Sequence, residues 1–263
     1  MYSKKSMHYN PFLQITKALK ELGSIGAMFL ETAHQTFRRP FKLNYILKQM
    51  EFIGVNSSVI VIITGVFTGM VLALQSAYQM QKISAEMYIA SLVAFSMTRE
   101  LGPVLTALIV AGRVGAAITA ELGTMKVTEQ IDALETLATN PISYLVVPRF
   151  IAMIIMLPVL TIFADIIGML GGYIIGVYKL NISHAMYLKN TWDPLKYKDV
   201  FTGLVKSVFF AVIICIVACY EGMTAEGGAE GVGRSTTSSV VMSFILIIAS
   251  DCFFTALFYF AGR

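Results

Sequence analysis

Two adjacent ionisable residues, Arg99 and Glu100, interrupt a long apolar stretch and are followed by Gly102 and Pro103. Charges inside a membrane are costly, and they usually mark a cavity or a pathway for a polar solute. Neighbouring residues on a helix point about 100° apart, so these two side chains do not pair with each other. Each needs a partner on a facing helix, a second subunit, water or a ligand. An ion-pair network that seals the bundle is the structural alternative.

Further carboxylates lie in other apolar stretches, at Asp165 and Asp251. Together with Glu100 they could form a proton or ion relay, which makes an ion-coupled secondary transporter the second functional hypothesis. The chain shows no internal repeat and an odd number of predicted spans, whereas such transporters commonly consist of paired halves. The relay is therefore the less favoured interpretation.

The residues that usually build metal centres or enzyme active sites are scattered. The cysteines lie inside apolar stretches and the histidines in unrelated segments, so no metal site or disulfide is predicted; they are Cys215, Cys219, Cys252, His8, His34 and His184. No nucleophile and base occur together at helical spacing. The chain is expected to be a non-enzymatic membrane subunit without its own cofactor.

A glycine-rich stretch, Gly228 to Ser235, superficially resembles a phosphate-binding loop with Arg234 in the lysine position. A true phosphate-binding loop follows a strand and opens a helix, whereas this stretch lies between two predicted membrane spans. We expect a tight turn here, with Ser235 or Thr236 capping the last span. Any ATPase that drives this protein must then be another polypeptide.

The segment Glu121 to Leu137 is polar but lies between long apolar stretches. Its apolar residues recur at helical spacing, and Glu129, Asp132 and Glu135 share another face, so it is predicted to form one amphipathic helix that ends before Asn140-Pro141. An acidic face is repelled by anionic headgroups, which favours docking to a soluble partner over lying on the membrane. A solvated linker helix is the alternative.

Composition defines the class of protein. Apolar residues make up 56% of the 263 residues, which is typical of an integral membrane protein, and the net charge of +4 shows no basic, aromatic-rich patch for nucleic acid. Stretches of about 20 apolar residues cross a bilayer. Five such spans are predicted, at residues 52–78, 85–119, 150–178, 200–220 and 240–260. Glycines spaced four apart in the first and third spans predict close helix packing.

The first 50 residues mix apolar residues at helical spacing with eight Lys and Arg residues. This pattern is typical of an interfacial amphipathic region on the inner leaflet, with a transmembrane domain over residues 51–263; an ordinary cytoplasmic helical hairpin is the alternative. No signal peptide is expected. The cationic bias predicts a cytoplasmic N-terminus, with 121–137 inside. Lysines 179, 189, 196 and 198 in a predicted outer loop run against this rule.

Long stretches of the sequence are similar to one known family. Thr98 to Pro141, TRELGPVLTALIVAGRVGAAITAELGTMKVTEQIDALETLATNP, with Pro148 to Phe150 and GAEGVGRSTTSSVV from Gly228, resembles the MlaE/YrbE family. Members are permease subunits of ATP-binding-cassette transporters that act with MCE proteins in bacterial lipid traffic. The resemblance implies an all-α membrane protein of the inner membrane, with an N-terminal interfacial helix, five spans and a cytoplasmic coupling helix at about 121–138.

The resemblance also implies partners and site residues. The partners would be a second copy of the chain, an MlaF-like cytoplasmic ATPase that binds ATP and magnesium, an MlaD-like periplasmic MCE protein, a small STAS-type protein and phospholipid. By position, Leu72, Arg99 and Glu100 would line the lipid cavity. The residues expected to face the ATPase are Glu121, Thr128, Glu129, Asp132 and Glu135.

Overall fold

The computed structural model describes residues 11–36 and 43–261, and every regular element within them is helical. Ten α-helices follow one another, with short 3₁₀ and π turns between some of them. They are α1 Pro11–Thr36, α2 Leu43–Met80, α3 Ile89–Ser96, α4 Gly102–Val110, α5 Ala116–Val127, α6 Gln130–Thr136, α7 Val147–Tyr178, α8 His184–Trp192, α9 Tyr197–Met223 and α10 Gly228–Ala261.

Five helical stretches of the described chain are long and apolar enough to cross a membrane. The five predicted spans are therefore confirmed. The observed stretches are Leu43–Ile83, Glu86–Val127, Ile142–Tyr178, Tyr197–Met223 and Gly228–Phe260. The second stretch combines α3, α4 and α5 through π turns at Met97–Leu101 and Ala111–Gly115.

The N-terminal part is described only in its backbone over much of its length. Helix α1 is present, but Phe12, Ile15, Leu19 and Leu22 of the predicted apolar stripe have side chains outside the described set, as does residue 37. Helix α2 begins at Leu43 and continues through residues 50 and 51 without a break. The proposed division of the chain at that point stays a prediction.

The first and third spans pack with their backbones almost in contact. A Cβ atom added to Gly69 would lie 1.8 Å from the carbonyl oxygen of Gly168, and one added to Gly171 would lie 2.3 Å from that of Val66. Only glycine allows this approach, as the four-residue spacing predicted. The ring of Tyr187, on α8, fills the space beside Gly176 in the same way.

The main apolar core lies where the second, third and fourth spans meet the middle of the fifth. Its fully buried members include Leu122, Ile131, Leu157 and Ile214. Helix α6 contributes Ile131, so the apolar face of this short helix packs on the protein itself. Its acidic face is left exposed.

The prediction of a single helix from Glu121 to Leu137 is wrong. Glu121 lies within α5, which ends at Val127, and α6 begins only at Gln130. Glu129 between them adopts a left-handed backbone conformation with φ of 60°, which stops the first helix and turns the chain. Ala138, with φ of 56°, ends the second segment in the same way. Residues 121–137 therefore comprise the end of α5, a bend at Glu129 and the short helix α6.

The glycine-rich stretch also differs from the prediction. Residues Gly228 to Ser235 form the first turns of α10, and the turn itself is made just before by Gly227, whose φ is 90°. The Thr236 hydroxyl donates to the carbonyl of Val232 within the helix, so it is not a cap. The predicted cap at Ser235 or Thr236 is therefore wrong.

Candidate functional site

Arg99 and Glu100 lie on the π turn Met97–Leu101 of the second span. A π turn inserts an extra residue into a helix and changes the direction of the side chains around it. Gly102 follows directly, and a Cβ there would lie 1.8 Å from Oδ1 of Asp165 on α7. The glycine thus allows the third span to approach this turn closely.

Arg99 finds its partner on the fourth span. Its guanidinium donates to the Oδ1 atom of Asp199, with an Nε to Oδ1 distance of 2.8 Å. Asp199 is 4% exposed, whereas the Arg99 side chain is 53% exposed. The Asp199 carboxylate also accepts from the backbone N–H of Lys196, at 3.0 Å. The acid that begins α9 therefore holds Arg99 in place while part of the guanidinium stays accessible.

Glu100 belongs to a second ion-pair group centred on Lys206. The Lys206 ammonium, 1% exposed, donates to Glu100 Oε2 at 2.6 Å and to Asp251 Oδ1 at 2.8 Å. It also donates to the hydroxyl of Thr255 at 2.7 Å. One buried cation thus joins the second, fourth and fifth spans. Loss of this cation would leave the negative charges of Glu100 and Asp251 without the group that balances both of them.

These charges surround an open cavity of about 480 Å³, a size in the range of small-molecule binding sites. It lies at the end of the bundle that carries the connections 81–85 and 179–196. The lining residues are Arg99, Glu100, Lys196, Lys198, Asp199, Thr202, Lys206, Thr255, Phe258 and Tyr259. The mixture of charged residues with two aromatic rings suits an amphipathic ligand.

Leu72, the third residue expected at the cavity, is not among its lining residues within the described chain. It packs instead beside a buried cluster that includes Ala73, Val93 and Met97. The resemblance supplied a position on the first span, but in a single chain α2 packs along α7 and does not reach the charged cavity. Two of the three expected residues therefore lie together.

Asp165 does not join the other two carboxylates of the relay hypothesis. It is 6% exposed, and its Oδ1 atom has no hydrogen-bond partner among the described residues. Glu100 and Asp251 share Lys206, whereas Asp165 abuts Gly102 on the third-span side. The three acids do not form one continuous chain of side chains.

The residues expected to face an ATPase lie in two environments. Glu121 forms an ion pair with Arg149, whose side chain is fully buried, at an N to O distance of 2.8 Å. Asp132 pairs with Lys126 at 2.7 Å across the bend. Glu129 and Glu135 are exposed, and the exposed Thr128 donates to the carbonyl of Thr124. Four of the five residues lie at or near α6, whereas Glu121 lies within α5 and is paired with Arg149 of α7.

Several residues of the site were not identified from the sequence. Asp199, Lys206 and Thr255 were not among the predicted site residues. A complementary-charge argument could have found Lys206, because a lone cation in the fourth span can balance acids in the second and fifth. Asp199 carried no such signal, since it lies at the edge of a polar loop.

The described residues contain no group of three or more His, Cys, Asp or Glu side chains placed to hold a metal ion. Cys215 and Cys219 are buried on one face of α9, and Cys252 is exposed on α10. The features that define the site among the described residues are its ion pairs, its aromatic rings and its cavity.

A polar cavity among five helices long enough to span a membrane is typical of the membrane subunit of a transporter. Comparison with known proteins agrees. Residues 46–257 match the family model for Permease MlaE, and the chain belongs to the MlaE permease family of ABC transporter permeases.

Relatives cover nearly the whole chain. A probable ABC transporter permease protein of Rickettsia conorii is 50% identical over 243 residues, which are 92% of this chain and 94% of the relative. One from Synechocystis is 46% identical over 213 residues, 81% of each chain. The intermembrane phospholipid transport system permease protein MlaE of Haemophilus influenzae is 37% identical over 252 residues, covering 95% and 96%.

Proposed function

We propose that this chain is the permease subunit that moves phospholipid between the bacterial inner membrane and a periplasmic MCE protein. The observation that carries the proposal is the charged, aromatic-lined cavity around Arg99 and Glu100. A phosphate group can bind the exposed part of the Arg99 guanidinium, while acyl chains extend along apolar helix faces. The name of the Haemophilus influenzae relative supports phospholipid as the cargo.

The proposed assembly contains two copies of this chain. A cytoplasmic ATPase of the MlaF type binds ATP and magnesium and docks on the exposed acidic face of α6, and an MlaD-like MCE protein receives or supplies lipid at the cavity end. A small STAS-type protein accompanies the ATPase. This chain holds no cofactor of its own. The N-terminus is cytoplasmic, because the first 50 residues carry eight Lys and Arg residues.

The proposed mechanism follows from the shape of the hairpin between the second and third spans. Closure of the ATPase pushes on α6, and the push passes to α5 and α7, which flank it. Tilting of these spans changes the cavity at the opposite end of the bundle. Transport requires that the two cavity states bind phospholipid with different affinity, because equal binding would drive nothing.

Reconstitution of the complex in vesicles, with ATP hydrolysis and lipid transfer measured together, tests the proposal. Glu100→Gln should lower lipid transfer more than tenfold with ATP hydrolysis retained, because it changes the cavity and leaves α6 intact. Glu129→Lys should lower lipid transfer by reversing a charge on the docking face. Glu230→Gln, at an exposed glutamate at the start of α10, is the control and should transfer lipid normally.

Normal lipid transfer by the Glu100→Gln variant would show that the charges of the cavity serve the stability of the bundle and not transport. The main support for the proposal would then be lost. The ion-coupled alternative has one observation in its favour, the buried Oδ1 atom of Asp165, which has no hydrogen-bond partner among the described residues. Transfer that continues without ATP but stops when the proton gradient is abolished would favour that alternative.

A further inference from the structure

The connection from the third to the fourth span carries four lysines at positions 179, 189, 196 and 198. Under the proposed orientation this connection is periplasmic, where the cationic bias of membrane proteins predicts few such residues. The structure divides the four into two pairs. Lys196 and Lys198 line the charged cavity, whereas Lys179 and Lys189 are exposed elsewhere on the connection.

The other charges of the cavity already have partners. Arg99 is paired with Asp199, and Lys206 is shared by Glu100 and Asp251. In the part of the chain that the structure describes, no ion pair or side-chain hydrogen bond joins the ammonium group of Lys196 or Lys198 to an acid. Both side chains are exposed at the cavity, and their charges are free to meet a ligand.

These two lysines decide the sign of the charge at the cavity. The lining residues together with Asp251 comprise four cations and three anions, which leaves one excess positive charge. With neutral residues at positions 196 and 198, the same set would carry one excess negative charge. A ligand that enters therefore meets a positive field only because of Lys196 and Lys198.

We propose that Lys196 and Lys198 make this cavity select phospholipids whose headgroups carry a net negative charge over zwitterionic phospholipids. The inference rests on the proposed function and names the class of its substrate. Both kinds of lipid offer a phosphate to Arg99, so that contact does not distinguish them. The additional ammonium of a zwitterionic headgroup is repelled by the two free lysines, whereas a neutral headgroup substituent is not.

The expected preference is moderate, because both lysines are exposed and salt screens them. A single lysine near a membrane surface attracts anionic lipid only modestly. Two partly screened lysines should therefore give a preference of about tenfold. The preference should shrink as the salt concentration rises.

Photo-cross-linking from inside the cavity tests the inference. The full chain carries benzoylphenylalanine in place of Phe258, a lining residue of similar shape. It is reconstituted in vesicles of equal phosphatidylglycerol and phosphatidylethanolamine, and the cross-linked lipids are quantified by mass spectrometry. The compared variants are Lys196→Gln with Lys198→Gln, and the control Lys179→Gln with Lys189→Gln, which removes the same charge from the same connection.

We expect about tenfold more cross-linking to phosphatidylglycerol in the parent chain and in the control, and loss of that preference in the Lys196→Gln, Lys198→Gln variant. Equal cross-linking to both lipids in the parent chain would overturn the inference and leave the cavity a lipid site. An equal loss in both double variants would overturn it in favour of a general surface effect. Failure to cross-link either lipid would overturn the proposed function itself.

Discussion

At the scale of single residues, the cavity depends on side chains that satisfy one another across helices. The sequence predicted that Arg99 and Glu100 need separate partners, and the structure supplies them in Asp199 and Lys206. The identity of those partners could not be predicted, because it depends on how far each helix is rotated about its axis. Hydropathy and spacing define which face of a helix is apolar but not which neighbour that face meets.

Lys206 is the residue whose loss should cost most stability. Lys206→Met would leave Glu100 and Asp251 without their shared cation. Removal of one partner from a fully buried ion pair costs about 3–5 kcal/mol, and the loss should be smaller here because the two acids are 39% and 22% exposed. We expect a clearly lower midpoint of thermal unfolding for the detergent-solubilised chain. Lys189→Gln, on the exposed outer connection, should shift the midpoint little.

The triple variant Lys206→Met, Glu100→Gln, Asp251→Asn removes all three charges together and should recover part of the lost stability. An unchanged midpoint in Lys206→Met would show that these ion pairs do not hold the three spans together. The two variants therefore separate loss of the cation from loss of packing.

At the scale of elements, apolar length predicted the five spans, and glycine spacing predicted close helix packing by the first and third spans without indicating that these two pack on each other. The bend at Glu129 was missed because the usual sequence signals of a helix end, glycine or proline, do not occur there. A glutamate with a positive φ leaves the helical spacing of the apolar residues around it unchanged, so this spacing does not reveal the bend. Its conformation is imposed by tertiary contacts, since Ile131 packs into the core just beyond it.

The bend can be tested with glycine at two positions. Glu129→Gly should slow hydrogen exchange of the α6 amides about fivefold, because glycine adopts a positive φ without the roughly 1 kcal/mol steric cost of other residues. Ala133→Gly, within α6, should speed exchange by a similar factor, because glycine in a helix interior costs about 1 kcal/mol.

Hydrogen exchange followed by mass spectrometry on the reconstituted chain measures both variants. Faster exchange in Glu129→Gly than in the parent chain would contradict the left-handed conformation at this residue. Glu129→Val should exchange fastest of the variants at position 129, because a β-branched residue tolerates a positive φ least.

At the scale of the whole molecule, the order of the helices places the charged cavity and the α6 hairpin at opposite ends of the bundle. Alternating spans place the connections 81–85 and 179–196 at one end of the bundle and α6 at the other, and the number of spans was predicted from the sequence. The family followed from long stretches of sequence. The shape of the cavity could not be predicted in this way, because its lining residues come from helices that are far apart in the sequence.

Labelling of single cysteines in intact cells tests this arrangement. In a chain with Cys252→Ser, whose remaining cysteines are buried, Ser84→Cys and Lys179→Cys should react with a membrane-impermeant maleimide. Glu135→Cys and Glu230→Cys should react only after the membrane is permeabilised, because the proposed orientation places both exposed positions at the cytoplasmic end.

Reaction of Ser84→Cys and Glu135→Cys from the same side would contradict the number of crossings between them. Reaction of Glu135→Cys, but not of Ser84→Cys, with the impermeant maleimide in intact cells would show that the protein has the opposite orientation in the membrane. No cytoplasmic ATPase could then reach α6.

Lys206 of the fourth span is ion-paired with Glu100 of the second span and Asp251 of the fifth, so one side chain joins three spans. The first and third spans instead contact each other through the backbone at glycine residues. We expect the second, fourth and fifth spans, joined at Lys206, to move together as one rigid group. Opening of the lipid path should then displace the charged wall of the cavity as a single piece.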